Sequence, residues 1–274
     1  MAGPPRGGHP RGHRLVAPAF PRRAGRGSAG VIGHGDLDSL RLAAGDALLL
    51  DFDGTLTEIG PDPDAIRLEA GVGEALRRLM ARLSGAVGIL SGRDVRDLAA
   101  RTPAEVWRIG THGLEILAPG EAAGLAPAKP PEAVLAALRA VAGDHPGVRL
   151  EIKGPVAALH FRASPDAAEA CLRAARQAAG AAAGHVSQAG KMVVEVKPAG
   201  AHKGAALRRL AERPPFAGRR PVVLGDDATD EDAIEAAQAM GGIGVKVGEG
   251  DSAARLRAPD PAAVRAWLVR EAGT

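Results

Sequence analysis

Short apolar runs alternate with Ala-, Leu- and Arg-rich segments of helical periodicity from residue 46 onward. This alternation is typical of α/β proteins whose parallel sheet is buried on both faces. The apolar runs predict strands at 47–50, 86–90, 106–109 and 222–224, with 243–247 as a candidate fifth strand. The segments between and after them predict helices at 73–83, 94–101, 203–212, 231–239 and 262–271.

The middle of the chain, residues 119–197, has a different order of elements. The pattern there predicts a helix, two strands, a second helix and two further strands. Their ranges are 132–142, 148–153, 156–162, 166–182, 185–188 and 191–197. The sequence therefore predicts a smaller αββαββ domain inserted into a larger α/β domain made of residues 36–118 and 198–274.

Residues 1–35 are dominated by Gly, Pro and Arg and contain six arginines but no acidic residue. We expect a disordered basic extension or a start codon assigned too far upstream. A transit peptide is a weaker alternative, because five prolines by Pro21 oppose an amphipathic helix. Without those six arginines the formal net charge of +3 becomes about −3, so the basicity of the chain belongs to this segment.

Composition argues against several classes of protein. Cys171 is the only cysteine, so neither an intramolecular disulfide nor a cysteine cluster for zinc is available, which favours a cytoplasmic protein. Apolar stretches such as 133–138 are much shorter than the roughly 18–20 residues that span a bilayer, and we expect no membrane partner. Two Trp, four Phe and no Tyr leave few side chains to stack on bases. We expect no nucleic-acid partner, with binding through the arginine-rich segment as the alternative.

The segment Asp51-Phe52-Asp53-Gly54-Thr55-Leu56 directly follows the first predicted strand. Ligand sites of open α/β sheets lie outside the carboxyl ends of the strands. A carboxylate there is able to attack phosphorus, and a second one nearby to act as general acid and base. Asp51 is then the candidate nucleophile and Asp53 the candidate acid/base. The alternative is a solvated pair of turn aspartates.

Two further candidates for binding a phosphoryl group follow later in the chain. In Ser91-Gly92-Arg93 a hydroxyl and backbone amides precede a predicted helix, where an anion is stabilised. Lys203 opens another predicted helix, where its ammonium would offset the charge of the nucleophile and the phosphoryl group. The alternatives are that Ser91 is a helix N-cap and that Lys203 is a surface lysine.

The segment Gly225-Asp226-Asp227-Ala228-Thr229-Asp230-Glu231-Asp232 follows the strand at 222–224 and holds five acidic residues in seven positions. Oxygen ligands without histidine suit Mg²⁺, which binds through few carboxylates plus water and substrate phosphate. The alternative is a charged helix N-terminus capped by Thr229 with Asp230 or Asp232.

The order of these four segments resembles the four motifs of the haloacid dehalogenase-type phosphatases. The resemblance covers residues 46–250 and implies a Rossmann-like core, a Mg²⁺ cofactor and an aspartyl phosphate on Asp51, with Asp53 as acid/base. It also implies that Ser91 and Lys203 bind the phosphoryl group. The residues that it implies for the metal site are Asp51, the carbonyl of Asp53 and Asp226 as ligands, with Asp227 and Asp230 orienting the water shell or Lys203.

The spacing of these motifs places the inserted domain. Asp53 and Ser91 are 38 residues apart, whereas Ser91 and Lys203 are 112 apart, so the insertion lies between the second and third motifs, as a cap domain. On a strand, residues 191, 193, 195 and 197 share one face, which would offer polar groups to a phosphosugar if it faces the core. The alternative is a solvated face with cross-strand charge pairs.

A narrower resemblance, to the trehalose-6-phosphate phosphatases, rests on the αββαββ module and the run Gly-Lys-Met-Val-Val-Glu-Val-Lys-Pro followed by His-Lys-Gly. Gly110-Thr111-His112-Gly113-Leu114-Glu115 is also similar to a segment of that family. The resemblance implies hydrolysis of trehalose 6-phosphate in trehalose biosynthesis, and a separate trehalose-phosphate synthase as a possible partner. The substrate-binding candidates are Gly92, Arg93, His112, Glu151, Lys153, Arg162, Lys191 and Glu195.

Two other functions stay open at this point. A phosphatase for another phosphosugar, such as sucrose 6-phosphate or a mannosyl phosphate, would share the core motifs and differ in the cap. A non-catalytic module that binds a phosphosugar and regulates a partner would normally lack Asp51 or Asp53, and both are present.

Overall fold

The computed structural model describes residues 35–60, 62, 64–125, 129–190 and 192–273. Residues 1–34 of the expected basic extension and the candidate Lys191 lie outside the described residues. Gly35, the last residue of that predicted extension, pairs with Leu256 in the first strand. None of the helices in the described residues is both long and apolar enough to span a bilayer.

The described residues form an α/β fold with two sheets. The strands, in chain order, are β1 (Gly35–Asp36), β2 (Asp46–Leu50), β3 (Val87–Leu90), β4 (Trp107–Gly110), β5 (Glu115–Leu117), β6 (Arg149–Lys153), β7 (Val156–His160), β8 (His185–Gly190), β9 (Val193–Pro198), β10 (Arg220–Gly225), β11 (Ile243–Val247) and β12 (Leu256–Ala258). The helices are α1 (Ala70–Arg82), α2 (Val95–Arg101), α3 (Glu132–Asp144), α4 (Ala168–Ala181), α5 (Lys203–Ala211), α6 (Ala228–Ala239) and α7 (Pro261–Ala272).

The larger sheet has the strand order β1-β12-β11-β10-β2-β3-β4-β5. All its neighbouring strands run parallel except β5, which is antiparallel to β4. The five core strands that the apolar runs predict are all present. The short strands β1, β5 and β12 were not predicted, because two or three residues carry too little apolar periodicity.

Helices cover both faces of the larger sheet. Along β2, Leu48 and Leu50 pack in the cluster that holds Trp267, while Leu49 packs in the opposite cluster with Phe216. Successive strand residues point to opposite faces, so a strand covered on both sides is apolar throughout. This burial explains why residues 47–50 of β2 form an unbroken apolar run and confirms the predicted α/β class.

The smaller sheet is antiparallel, with the order β6-β7-β9-β8. Its elements appear in the predicted order, from α3 at Glu132 to the end of β9 at Pro198. Helices α3 and α4 pack on one face, where Leu138, Leu159 and Val194 share a buried cluster. On this basis we propose that residues 119–197 form the cap domain.

The register of the smaller sheet brings polar side chains to its other face. Direct partners in an antiparallel pair point the same way. Glu151 pairs with Ala158 and Ala158 with Glu195, while Arg149 pairs with His160. We call the side that carries Arg149, Glu151, Lys153, His160, Glu195 and Lys197 the polar face of the second sheet.

Candidate active site

Asp51 lies at the carboxyl end of β2, between the ends of β10 and β3. Its backbone N–H donates to the Leu224 carbonyl at 3.0 Å, which continues the β2–β10 pairing by one residue. Its side chain is buried and accepts a hydrogen bond from Lys203 Nζ at 2.7 Å on Oδ1. The strand end therefore presents a carboxylate that is already held by an ammonium group.

Lys203 joins two carboxylates. Its Nζ also donates to Asp230 Oδ1 at 2.6 Å, and all three side chains are buried. Burial lowers the pKa of Lys203, but Asp230 and Asp51 outweigh it and hold this pKa well above the ordinary value. A permanently charged ammonium at this position fits the predicted role and excludes a surface lysine.

The same cluster shifts the pKa values of its two acidic side chains. Burial raises the pKa of Asp51 well above its ordinary value, Asp230 adds to the rise, and Lys203 opposes it. Burial raises the pKa of Asp230 to about 7 against the opposing charge of Lys203. Perturbed acids gathered around one cation are typical of a functional site.

Asp230 also organises the turn after β10. Its Oδ2 accepts the backbone N–H groups of Asp226 and Asp227, each at 3.2 Å. Asp227 is the N-cap of α6, accepting from Thr229 N at 2.7 Å and from Asp230 N at 3.2 Å in a capping box. Burial raises the pKa of Asp227, but Lys203 and the hydrogen bond from Thr229 lower it to about 2. Asp227, not Thr229, is therefore the capping residue.

Asp53 is paired with Arg93 through both carboxylate oxygens, at 2.6 Å to Nε and 2.7 Å to Nη2. Arg93 also donates to Asp97 at 2.7 Å, and its guanidinium lies 5.3 Å from the centre of the Phe52 ring. The structure therefore places Arg93, a predicted substrate-binding residue, against the candidate acid/base. The pairing crosses 40 positions of sequence and was not foreseen.

Ser91 and Gly92 form the loop between β3 and α2. Ser91 Oγ is buried and accepts the Arg93 N–H at 3.1 Å, while Asp94 is the N-cap of α2. Ser91 is therefore not the cap of this helix. A Cβ on Gly92 would lie 2.8 Å from His112 Cε1, so any larger residue would displace the His112 ring.

The residues fit a divalent cation. Single carboxylate oxygens of Asp51, Asp226 and Asp230 lie within 4.8 Å of one another. Asp226 Oδ1 is buried and has no hydrogen-bond partner within the described residues. A Cβ on Gly54, whose φ is +82°, would lie 2.2 Å from Asp226 Oδ2, so only glycine leaves room for this carboxylate. A set of oxygen donors with an unsatisfied buried oxygen suits a hard cation such as Mg²⁺.

His112 and Glu195 connect the two sheets. His112 follows β4 with a left-handed φ of 55°, and its Nε2 lies 3.3 Å from Glu195 Oε2 on β9. Lys197 Nζ, which is also buried, lies 4.0 Å from the same oxygen. Burial raises the pKa of Glu195, but the contact with His112 lowers it to about 2. The polar face of the second sheet thus faces the core. This is the arrangement expected if that face offers polar groups to a phosphosugar, and it argues against a solvated face.

Two connected spaces lie between the sheets. An inner pocket of about 150 Å³ is lined by catalytic candidates and by the cap residue Glu195. An outer cleft of about 1000 Å³ is lined on the cap side by Glu151, Lys153 and Arg162, among others. Asp53, Arg93, Lys153 and Asp227 line both spaces. The inner pocket therefore opens into the cleft.

Sequence reasoning missed two contacts at this site. Lys246 on β11 is buried, and its Nζ donates to the Asp226 carbonyl. His160 on β7 contacts Glu151 at 2.7 Å. A lysine inside an otherwise apolar strand was a usable signal for Lys246, because a buried ammonium needs a partner. His160 was noted as a polar residue at a strand end, but no local signal indicated its contact with Glu151, because that partner lies on the neighbouring strand.

Comparisons with known proteins agree with this architecture. Residues 49–261 match the model of the trehalose-phosphatase family. The chain is 35% identical over 235 residues to the trehalose-6-phosphate phosphatase of Escherichia coli, covering 83% of this chain and 86% of that protein. It is 36% identical over 208 residues to a probable trehalose-phosphate phosphatase of Sinorhizobium fredii, covering 74% and 77%. The structure is similar to the C-terminal domain of the C. albicans trehalose-6-phosphate phosphatase, with a TM-score of 0.72, 25% identity and coverage of 83% and 92%.

Proposed function

The chain belongs to the trehalose-phosphatase family, and from that premise we propose that it hydrolyses trehalose 6-phosphate to trehalose and phosphate. The proposed reaction depends on Mg²⁺, forms an aspartyl phosphate on Asp51 and serves trehalose biosynthesis. The observation that carries the proposal is the buried contact of Lys203 with Asp51 and Asp230 in a pocket that opens into the cleft.

In the first proposed step, an oxygen of Asp51 attacks phosphorus and the bond from phosphorus to the sugar oxygen breaks. Asp53 donates a proton to that oxygen, and trehalose leaves. Lys203 offsets the charge of Asp51 and the phosphoryl oxygens, while Ser91 and the Gly92 amide donate hydrogen bonds to them. Arg93 holds both carboxylate oxygens of Asp53, so this step requires the Asp53–Arg93 pair to open when substrate binds.

In the second step, ionised Asp53 accepts a proton from a water molecule. The water oxygen attacks phosphorus, the bond between Asp51 and phosphorus breaks, and phosphate is released with Asp51 regenerated. Asp53 ends this step protonated and is then ready to serve as acid again. Asp53 thus serves as the acid in the first step and as the base in the second.

The residues that would hold Mg²⁺ are Asp51, Asp53 through its carbonyl, and Asp226. The ion supplies positive charge that stabilises the phosphoryl group during transfer. Asp230 supports these ligands indirectly, since it holds Lys203 and the backbone amides of Asp226 and Asp227. Lys246 also restrains the Asp226 backbone, because its Nζ donates to the Asp226 carbonyl.

Recognition of the sugar is assigned to the cap domain. Glu151, Lys153 and Arg162 line the cleft, and Glu195 lines the inner pocket. Closure of this face over the sugar would exclude bulk water from the reaction. We place the reaction in the cytoplasm, in line with the single cysteine, and propose that a separate synthase supplies the substrate.

Phosphate release from a substrate panel tests the proposal. The panel comprises trehalose 6-phosphate, sucrose 6-phosphate, glucose 6-phosphate and an aryl phosphate, each assayed with Mg²⁺ and with EDTA. We expect a strong preference for trehalose 6-phosphate and loss of activity in EDTA. Metal-dependent preference for another sugar would contradict the assignment of the cap, and the absence of hydrolysis on all four would favour a phosphosugar-binding module.

A further inference from the structure

We propose that His160 is a positioning residue that sets the recognition of the sugar by orienting the carboxylate of Glu151. The inference rests on the proposed function, because it concerns the sugar of that reaction. His160 is distinct from every residue to which the proposed chemistry or the family resemblance gives a role.

The register of β6 and β7 creates this contact. Glu151 pairs with Ala158, and His160 lies two residues further along β7, so the two side chains are diagonal neighbours on the polar face. His160 Nε2 lies 2.7 Å from Glu151 Oε2, within hydrogen-bond distance. Both residues line the outer cleft. The contact is therefore made on the surface that meets the substrate.

The lysine and arginine groups near Glu151 are further away than the His160 ring. Lys153 Nζ lies 3.5 Å and Arg149 Nη2 lies 3.7 Å from the same Oε2. Within the described residues, Oε1 of Glu151 has no hydrogen-bond partner. His160 thus holds one carboxylate oxygen and leaves the second to accept a hydrogen bond from a sugar hydroxyl.

Fixing this carboxylate in advance has a physical benefit. A carboxylate that is already oriented loses less side-chain freedom when the sugar binds. The His160 hydrogen bond also lowers the pKa of Glu151 to about 2, so the side chain is present as an acceptor. A sugar hydroxyl donates to this acceptor, whereas an aryl phosphate offers no hydroxyl at that place. Substitution of His160 is therefore expected to weaken the hydrolysis of the sugar phosphate more than that of the aryl phosphate.

The experiment compares three variants with the wild-type chain in the presence of Mg²⁺. His160→Phe keeps a ring without a donor, and His160→Gln keeps a donor that is able to reach Glu151. His185→Phe is the matched control, because His185 lies on β8 of the same sheet and contacts the Ala183 carbonyl. Kinetics are measured on trehalose 6-phosphate and on an aryl phosphate, and thermal melting reports folding.

We expect His160→Phe to raise KM for trehalose 6-phosphate about tenfold while kcat changes less than about twofold, as for loss of uniform binding. His160→Gln should recover most of that loss, and His185→Phe should match the wild type. The fall in kcat/KM should be at least about fivefold larger for the sugar than for the aryl phosphate. An unchanged KM in His160→Phe, or equal losses on both substrates, would overturn the inference.

A double-mutant comparison gives a second test that does not depend on the phenylalanine variant. If His160 acts through Glu151, the loss in a Glu151→Ala/His160→Ala chain equals the loss in Glu151→Ala alone. Losses that multiply would overturn the inference while leaving the proposed function intact. A wild-type chain that hydrolyses the aryl phosphate but not trehalose 6-phosphate would overturn the proposed substrate and the inference together.

Discussion

At the inner pocket Lys203 joins the lining residue Asp51 to Asp230 behind it, with all three side chains buried, whereas on the polar face of the second sheet Glu151 and His160 stay partly exposed. The buried group is a closed network, in which removal of one member leaves other charges without a partner. The exposed pair is a local contact that water is able to replace. The core group is therefore costly to alter, whereas contacts on the polar face tolerate substitutions that change substrate recognition.

The most severe change to the inner pocket is Asp51→Asn. We expect kcat to fall by about 10³-fold or more on every substrate, because an amide does not serve as the nucleophile. The fold should persist, since the amide fills the same space and Lys203 keeps Asp230. Phosphate release and thermal melting check this, and wild-type turnover by the purified variant would contradict the proposed mechanism.

Lys203→Met tests whether the buried network is closed. It leaves Asp51 and Asp230 buried without their shared cation, and breaking such a group costs about 3–5 kcal/mol. We therefore expect large losses of both stability and activity, measured by urea unfolding and phosphate release.

Lys129→Met is the matched control for that variant, because Lys129 is exposed. Its free energy of unfolding should stay within about 0.5 kcal/mol of the wild type. Equal stability of the two variants would show that the three buried side chains do not depend on one another.

Gly54→Ala alters the inner pocket through shape alone. The added Cβ would lie 2.2 Å from Asp226 Oδ2, at a left-handed φ of +82°. We therefore expect the free energy of unfolding to fall by more than about 1 kcal/mol, and activity to need a higher Mg²⁺ concentration because Mg²⁺ binds more weakly. Gly45→Ala is the control, because no atom lies within 4 Å of its added Cβ. Urea unfolding and Mg²⁺ titration of activity separate the two variants, and similar results for both would contradict the close packing of Gly54 against Asp226.

Glu195→Gln addresses the contact between cap and core. The variant removes the charge opposite His112, and we expect kcat/KM for trehalose 6-phosphate to fall about tenfold and further than for an aryl phosphate. Kinetics on both substrates decide this. Equal losses on the two would place Glu195 in the chemical step instead of in sugar recognition.

The same variant has a smaller effect on acid stability. Burial raises the pKa of Glu195, but His112 lowers it to about 2, below the ordinary value of 4.5. Ionised Glu195 therefore stabilises the fold above pH 4.5, and this contribution is lost as the pH falls toward 2. Glu195→Gln should flatten the pH dependence of unfolding in that window, whereas an unchanged slope would show that the contact with His112 does not lower this pKa.

The local sequence was enough to predict the framework of the site. Asp51, Ser91 and Asp226 each directly follow a strand that an apolar run predicts, and the carboxyl ends of parallel strands meet at one edge of a sheet. Alternation along 191–197 likewise predicted a polar face. The physical reason is that strand burial and side-chain alternation are properties of neighbouring residues.

The packing of distant elements determines which polar and charged groups meet. Arg93 reaches Asp53 across 40 positions, Lys203 reaches Asp51 across 152, and His112 reaches Glu195 between two sheets. The sequence also did not identify Asp227 as the cap of α6, and it left open whether Asp227 or Asp230 holds Lys203. Periodicity tells which side chains share a face, but the packing of separate elements determines what that face touches.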